Sequence, residues 1–321
     1  MMASYLLEAL ATEDNFDEDA YLRANPDVVD AVRAGGVDSG RAHFAAIGKD
    51  ERRSLKYPPA LIAEAKRRKR ERIRPLLRAD MPSVETQGCL DFLSPELRAQ
   101  FDIVDTEAVS SNGYDGHAMA LIDEYRDGLI LDCGAGKRPV YFDNVVNFEI
   151  VDYDTTDVRG VGEVLPFADD SFDAVLSIAV LEHVKDPFQC AREIARVLKP
   201  GGRLMCCVPF LQPQHGYPHH YYNMTAQGLR NLFADHLIVG RGQVYDSILP
   251  IWSLTWILRS WAEGLLGETR QDFLDLRIGD LLEDPAHYLQ QPFVTELSAD
   301  KNQELASATV IFARKRYGSR D

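Results

Sequence analysis

Three short stretches of this sequence carry residue types that can do chemistry. The first, "GLILDCGAGKRPVYFDNVVNFEIVD" at 128–152, ends an apolar run on Asp132, follows with Gly134 and Gly136, and reaches the acid Glu149 about a dozen residues later. Glycines in that place let the backbone turn tightly at the carboxyl end of a parallel strand, the edge where doubly wound sheets bind ligands. A dinucleotide fingerprint would read GxGxxG into a long helix aimed at a pyrophosphate. Here Pro139 stands in the third glycine's place and the crossover is short, which weighs against NAD.

The second stretch is "AVLEHV", with Glu182 and His183. A histidine titrates near neutrality and can take a proton from a hydroxyl acceptor. Three roles stay open for His183: general base, site lining without proton transfer, or structural support. The third stretch, "PFLQPQHGYPHHYYNMTAQGLRNLF", gathers His215, Tyr217, His219, His220, Tyr221 and Tyr222. Imidazoles and aromatic faces of this density suit an acceptor pocket for a sugar or another polyhydroxylated group; a loop held by its own hydrogen bonds is the alternative. The HxxxHH spacing together with His183 is compatible with a metal, but no cysteine or carboxylate stands at ligand spacing, and no metal is expected.

These stretches need a frame that brings them to one edge. From about residue 110 helix and strand patterns alternate: a helix over 114–125, then strands over 129–133, 145–150 and 174–178. Asp186 and Pro187 open a helix as N-cap and first residue, with Phe188, Ala191, Ile194, Ala195 and Leu198 as its expected buried stripe. The strand "RLMCCVPF" follows, then a helix capped by Thr225 with Leu229, Leu232 and Phe233, a strand near 237–245, and a last strand "SATVIFARK". Alternation of this kind implies an α/β doubly wound parallel sheet covered on both faces. Between the last two strands lies an insertion, 246–303, whose Trp252, Trp256 and Trp261 fall near one helical face. It is expected to pack as a lid; an interfacial helix touching membrane or a lipid-linked substrate is the alternative.

Upstream, 1–56 reads as a small helical module and 57–109 as a basic linker and loop-rich join. The run "AKRRKRERIRPLLR" is expected to be a solvated linker helix ended by Pro75, and it is also a candidate for peripheral contact with an anionic membrane surface. The chain has 321 residues, 45% of them hydrophobic, enough for one sizeable α/β domain plus an appendage. A formal net charge of -15 argues against nucleic acid as a partner. Five cysteines without metal spacing suggest buried thiols in a reducing compartment. With no basic n-region or signal-like apolar core at the start and no long apolar span, the cytoplasm is the expected location, with the inner membrane face as the peripheral option.

The blocks "ILDCGAG", Glu149, "LPFADDSFDAV", "LEHV" and "LKPGG" occur in this order and resemble the class I S-adenosylmethionine-dependent methyltransferases, in the branch of the type 11 domain, over roughly residues 110 to 315. The resemblance implies a Rossmann-like seven-stranded sheet with its last strand antiparallel, at 110–321. It implies S-adenosyl-L-methionine as cofactor. Carried over by position, Gly134 and Gly136 let the backbone approach the methionine portion, Asp132 steadies that loop or the ammonium, and Glu149 accepts the ribose hydroxyls, with Asp152 as the competing acid. Relatives often hold adenine with an Asp where this chain has Val161, so Gly162 and Glu163 are expected to substitute. Tyr114 and His117 stand where such enzymes close over the cofactor and are candidates for contact with substrate. The stretch "YLRANPDVVDAVRAGGVDSGRAHFAAIG" resembles modules that precede bacterial glycan-handling enzymes. Together these imply O-methylation of a glycan, glycolipid or other small polar acceptor. A cofactor-binding scaffold without turnover and an NAD-dependent oxidoreductase are the alternatives.

Overall fold

The computed structural model describes residues 3–86, 88–106, 110–216 and 219–313. Residues up to 208 together with those of 219–240 form one compact unit; 209–216 and 241–313 belong to a second.

In the first unit, two short strands, β1 (Ser4–Leu6) and β2 (Glu8–Leu10), precede the helices α1 (Glu18–Ala24), α2 (Pro26–Arg33) and α3 (Gly40–His43), and β3 (Ser54–Lys56) returns to pair antiparallel with β2. Asp17 and Ser39 cap α1 and α3 through their side chains. Each supplies an acceptor to an otherwise unpaired amide of the first turn. Tyr21, Val28, Phe44 and Leu55 close a small core of their own.

The basic run forms α4 (Ala63–Ile73), and here the structure departs from a solvated linker helix. Lys66 and Lys69 are buried, because each ammonium finds acceptors inside: Lys66 donates to the carbonyls of Asp154 (2.9 Å) and Thr156 (2.7 Å), and Lys69 to that of Val145 (2.5 Å). Outward, Arg67 pairs with Glu64 and Glu71, and Arg70 and Arg74 share Glu85. Most of the basic charge of this helix is thus spent within the fold.

The main sheet has seven strands. In chain order they are β4 (Val84–Thr86), β5 (Cys89–Asp91), then, after the helices α5 (Pro95–Gln100) and α6 (Gly116–Glu124), β6 (Ile130–Cys133), β8 (Val145–Glu149), β9 (Val158–Arg159), β10 (Phe172–Ile178) and β11 (Leu198–Cys207); β7 (Val140–Phe142) lies outside it and pairs with β1. The sheet order is β11-β10-β6-β8-β9-β5-β4, parallel throughout except for the edge pair β4–β5. From β6 the chain runs outward through β8 and β9 and then returns to β10 on β6's other side. The crevice of this Rossmann-like sheet therefore lies at the carboxyl ends of β6 and β10.

The antiparallel strand is filled from an unexpected part of the chain. It is β4, at one edge, where Gly88 (φ +91°) turns the chain back into β5. The strand expected at 237–245 does not form, and 307–313 is not a strand either; 314 and 315 lie outside the described residues. Val310, Ile311 and Phe312 are exposed and lie in the second unit, with no described strand beside them.

The helix α7 (Pro187–Val197) starts as expected, Asp186 accepting from the Gln189 amide at 2.9 Å. Its buried stripe is Cys190, Ala191, Ile194 and Val197, and Phe188 turns to solvent. With Leu232 and Phe233 of α8 (Ala226–Phe233) and Ile73 of α4, this stripe packs against Leu131, Val146, Phe148 and Val175. In the second unit, α9 (Pro250–Glu263) carries the three tryptophans, which do different work. Trp261 stacks on Phe273 and donates to the Phe293 carbonyl at 2.7 Å, Trp256 lies 5.1 Å from the His215 ring, and Trp252 is exposed. No helix among the described residues is long and apolar enough to cross a membrane.

Candidate active site at the carboxyl ends of β6 and β10

The glycine turn follows β6, and both glycines adopt a left-handed backbone, φ +86° at Gly134 and +61° at Gly136. A Cβ on Gly134 would stand 2.4 Å from Val180 Cγ2, and one on Gly136 2.9 Å from the Ser110 carbonyl oxygen. Glycine is thus required there both for the backbone region and for the close approach of neighbours.

Glu149, at the end of β8, is brought to this turn: Oε2 accepts from the Gly136 amide and Oε1 from the Ile150 amide, each at 2.7 Å. Burial raises its pKa, and these amides act in the opposite direction. Asp152 is exposed. Of the two competing acids, only Glu149 is seen bonded to the glycine turn.

Asp132 is fully buried beneath the turn. Its Oδ2 accepts from Arg138 Nε (2.9 Å) and Tyr114 Oη (2.5 Å) and lies 2.8 Å from Arg138 Nη2, while Oδ1 has no hydrogen-bond partner. Arg138 also donates to the Asn112 carbonyl at 3.0 Å, and its guanidinium lies 4.2 Å from the Tyr114 ring centre. Burial opposes the Arg138 charge, and Asp132 more than restores it. Burial, then the Asp132 charge, hold the Tyr114 hydroxyl well above its usual value. Tyr114 is thus held to Asp132 through its hydroxyl. Sequence reasoning passed over Arg138; the signal was a lone arginine two residues past the glycines in a crossover with no helix to solvate it.

Glu163 is buried, with its pKa raised by burial, and its Oε1 accepts from the amides of Lys185 (3.1 Å) and Asp186 (3.3 Å). That bond ties its carboxylate to the loop after His183. A Cβ on Gly162 would meet Cys190 Sγ at 2.7 Å. Val161 packs with Leu93 and Phe101 beside Ile150.

At the end of β10, Ala179 takes a left-handed φ of +55°, a strained choice for a residue with a Cβ that turns the chain sharply into Glu182 and His183. Glu182 is fully buried, neither carboxyl oxygen has a hydrogen-bond partner, and burial pushes its pKa up to about 8. His183 Nδ1 lies 2.7 Å from the carbonyl oxygen of His219. A carbonyl only accepts, so Nδ1 carries the proton and Nε2 is the basic nitrogen of the neutral ring. Nε2 faces Glu182 Oε1 at 3.8 Å.

The histidine and tyrosine stretch does not act as one block. His219 serves His183 through its backbone, and its ring donates to the Asp102 carbonyl at 2.9 Å. The His220 ring is 5.6 Å from that of His183 and bonds Asn223 at 3.0 Å. The amides of Tyr221 and Tyr222 donate to the Glu182 carbonyl, and both rings are exposed. His215 belongs to the second unit, 2.8 Å from the Pro213 carbonyl oxygen through Nδ1. Tyr217 lies outside the described residues. His117 is exposed in the first turn of α6, which Asp115 caps.

Residues 133–206 match the family model described as "Methyltransferase domain". An uncharacterized methyltransferase of Mycobacterium tuberculosis is 58% identical over 45 residues, which is 14% of this chain and 18% of the relative; one of Mycobacterium leprae is 56% identical over 45 residues, 14% and 17%. The chain therefore spans less than a fifth of the length of these relatives. Among solved structures, the YcgJ protein of Bacillus subtilis is similar at 18% identity and a TM-score of 0.30, over 48% of this chain and 87% of that one. The matched span, residues 133–206, runs from the glycine turn to β11, and over that span the chain resembles a methyltransferase domain.

Proposed function

We propose that this chain transfers the methyl group of S-adenosylmethionine to an oxygen of a small polar acceptor, with a glycan or glycolipid as the favoured class. The observation that carries the reading is the His183–His219 hydrogen bond, because it presets His183 in the tautomer a general base needs. The residues at the glycine turn fit the cofactor: Asp132 keeps a buried oxygen without a partner, and Glu149 presents a carboxylate at the strand end, suited to accept ribose hydroxyls. Bound S-adenosylmethionine supplies a sulfonium methyl already activated for displacement. His183 Nε2 takes the acceptor's hydroxyl proton, and the resulting imidazolium faces the Glu182 carboxyl at 3.8 Å. The exposed rings of Tyr221 and Tyr222 beside it offer stacking faces for a sugar.

The test is transfer of label from methyl-labelled S-adenosylmethionine to a panel of glycan and small hydroxylated acceptors. Wild type should label at least one, and His183→Ala should lose about 100-fold or more in rate, the usual scale for a general base, with cofactor affinity unchanged. Full rate in His183→Ala would remove the base. Cofactor binding without labelling of any acceptor would favour a scaffold without turnover.

A further inference from the structure

Resting on the reading of His183 as base, we propose that Asp102 is a positioning residue for methyl transfer: it holds the His219 ring, so that the His219 carbonyl keeps the proton of His183 on Nδ1. The Asp102 carbonyl accepts from His219 Nε2 at 2.9 Å, and the His219 carbonyl oxygen lies 2.7 Å from His183 Nδ1. A peptide carbonyl in a loop points where its surroundings hold it, and here the ring of the same residue supplies the tie. Asp102 itself has a left-handed backbone, φ +56°. Among the described residues only three others with a Cβ share that region, and one of them, Ala179, opens the loop that carries His183. Such a conformation persists only where its surroundings enforce it, and it concentrates at functional sites. Both chain neighbours enforce it here: Phe101 is buried with Leu93 and Val161, and the Ile103 amide donates to the Arg98 carbonyl at 2.9 Å.

The Asp102 side chain takes the opposite flank of the site. Lys185, two residues past His183, lies 2.5 Å from Asp102 Oδ2 and donates to the Gln100 carbonyl at 3.1 Å. One residue thus grips both segments that meet at the base: its carbonyl holds the loop that supplies the acceptor for Nδ1, and its carboxylate holds the loop that bears His183. The amides of Tyr221 and Tyr222 on the Glu182 carbonyl join the same two loops directly. Stability does not account for the arrangement. The Lys185 and Asp102 side chains are 43% and 48% exposed, and ion pairs so exposed contribute little to a fold. Its chemical effect is on a proton. Without an acceptor at Nδ1 the neutral imidazole can carry its proton on Nε2 instead, and a ring protonated there cannot take another proton from a hydroxyl acceptor.

Two readouts on the full chain test this: the imidazole nitrogen NMR shifts of His183, assigned by their loss in His183→Ala, and kcat on an acceptor that wild type labels. In wild type Nδ1 should be the protonated nitrogen. Asp102→Val puts a branched Cβ on the left-handed backbone and displaces the carbonyl; His219→Ala removes the ring donor and leaves its own carbonyl in the chain. Each should show the His183 proton shared between Nδ1 and Nε2 and a kcat lower by about 10-fold or more, the scale of a slightly misplaced group, with S-adenosylhomocysteine affinity unchanged. Asp102→Asn, which accepts the left-handed backbone and keeps the carbonyl, should recover most of what Asp102→Val loses. A wild-type His183 spectrum in folded Asp102→Val and His219→Ala overturns the proposal, as does a loss in Asp102→Asn equal to that in Asp102→Val. Failure of the base reading looks different: the proton moves as expected in these variants, yet methyl transfer continues at the full rate.

Discussion

Lys69 Nζ lies 2.9 Å from Asp157 Oδ2, with both side chains 1% exposed, beneath the short crossover that joins β6 to β8. Tyr141 of that crossover donates to the other oxygen of Asp157, and its ring lies 3.6 Å from the Lys69 ammonium. A parallel pair is usually joined through a helix that covers the sheet. Here α4, from upstream in the chain, packs on that part of the fold, and the Lys69–Asp157 pair fastens it there. Lys69→Ala would leave Asp157 buried without its cation, which typically costs about 3–5 kcal/mol. Urea unfolding of the two proteins measures this, and a loss below about 1 kcal/mol, the scale of an exposed pair, would show that the pair does not secure the helix.

Glu182 makes a pH prediction whose sign follows from its raised pKa. In the unfolded chain it ionises near 4.5, in the folded one only near 8. Its protonated form therefore favours the fold fully below pH 4.5, and that contribution is lost as pH rises toward 8. Glu182→Gln cannot ionise. The stability of the variant relative to wild type should thus grow between pH 5 and pH 8, read from denaturation midpoints across that window. A constant difference across it would mean that the carboxyl is ionised in the fold.

Gly134→Ala meets two separate penalties. The left-handed backbone costs a residue with a Cβ about 1–2 kcal/mol, and the new methyl would overlap Val180. Adding Val180→Ala should restore the second part only. Thermal unfolding of the single and double variants checks this, and full recovery in the double variant would show that the backbone contributes nothing.

Glu149→Ala should weaken S-adenosylhomocysteine binding by about 10-fold or more, on the scale of lost hydrogen bonds to a charged group. Asp152→Ala, an exposed change, should leave it where it was. Calorimetry on both decides the choice, and the reverse pattern would move the ribose to Asp152.

Much of this was readable without coordinates wherever the signal is local. Asp186 and Pro187 mark the start of α7 because a side-chain acceptor and a ring without an N–H solve the same first-turn problem within four residues. The glycines of the turn likewise show themselves by their backbone freedom. On α7, Ala191, Ile194 and Leu198 are buried as expected, while Phe188 is exposed and Cys190 and Val197 widen the stripe, since periodicity alone does not tell which flank of a helical face the sheet will meet. The edges of the sheet were misread for a related reason: "SATVIFARK" has strand composition, and pairing needs a partner edge that composition does not name.

The sequence by itself determined the order strand, glycine turn, acid and "LEHV" loop, and with it the kind of sheet and the edge where chemistry belongs. Tertiary structure alone decided what is done with the charges. It brought Lys69 to Asp157 across 88 residues, Arg138 and Tyr114 to one oxygen of Asp132, and the His219 carbonyl to His183 across 36. The physical reason is the cost of burial: a charge or polar hydrogen removed from water must find a partner, and that partner is fixed by folded proximity rather than by position in the chain.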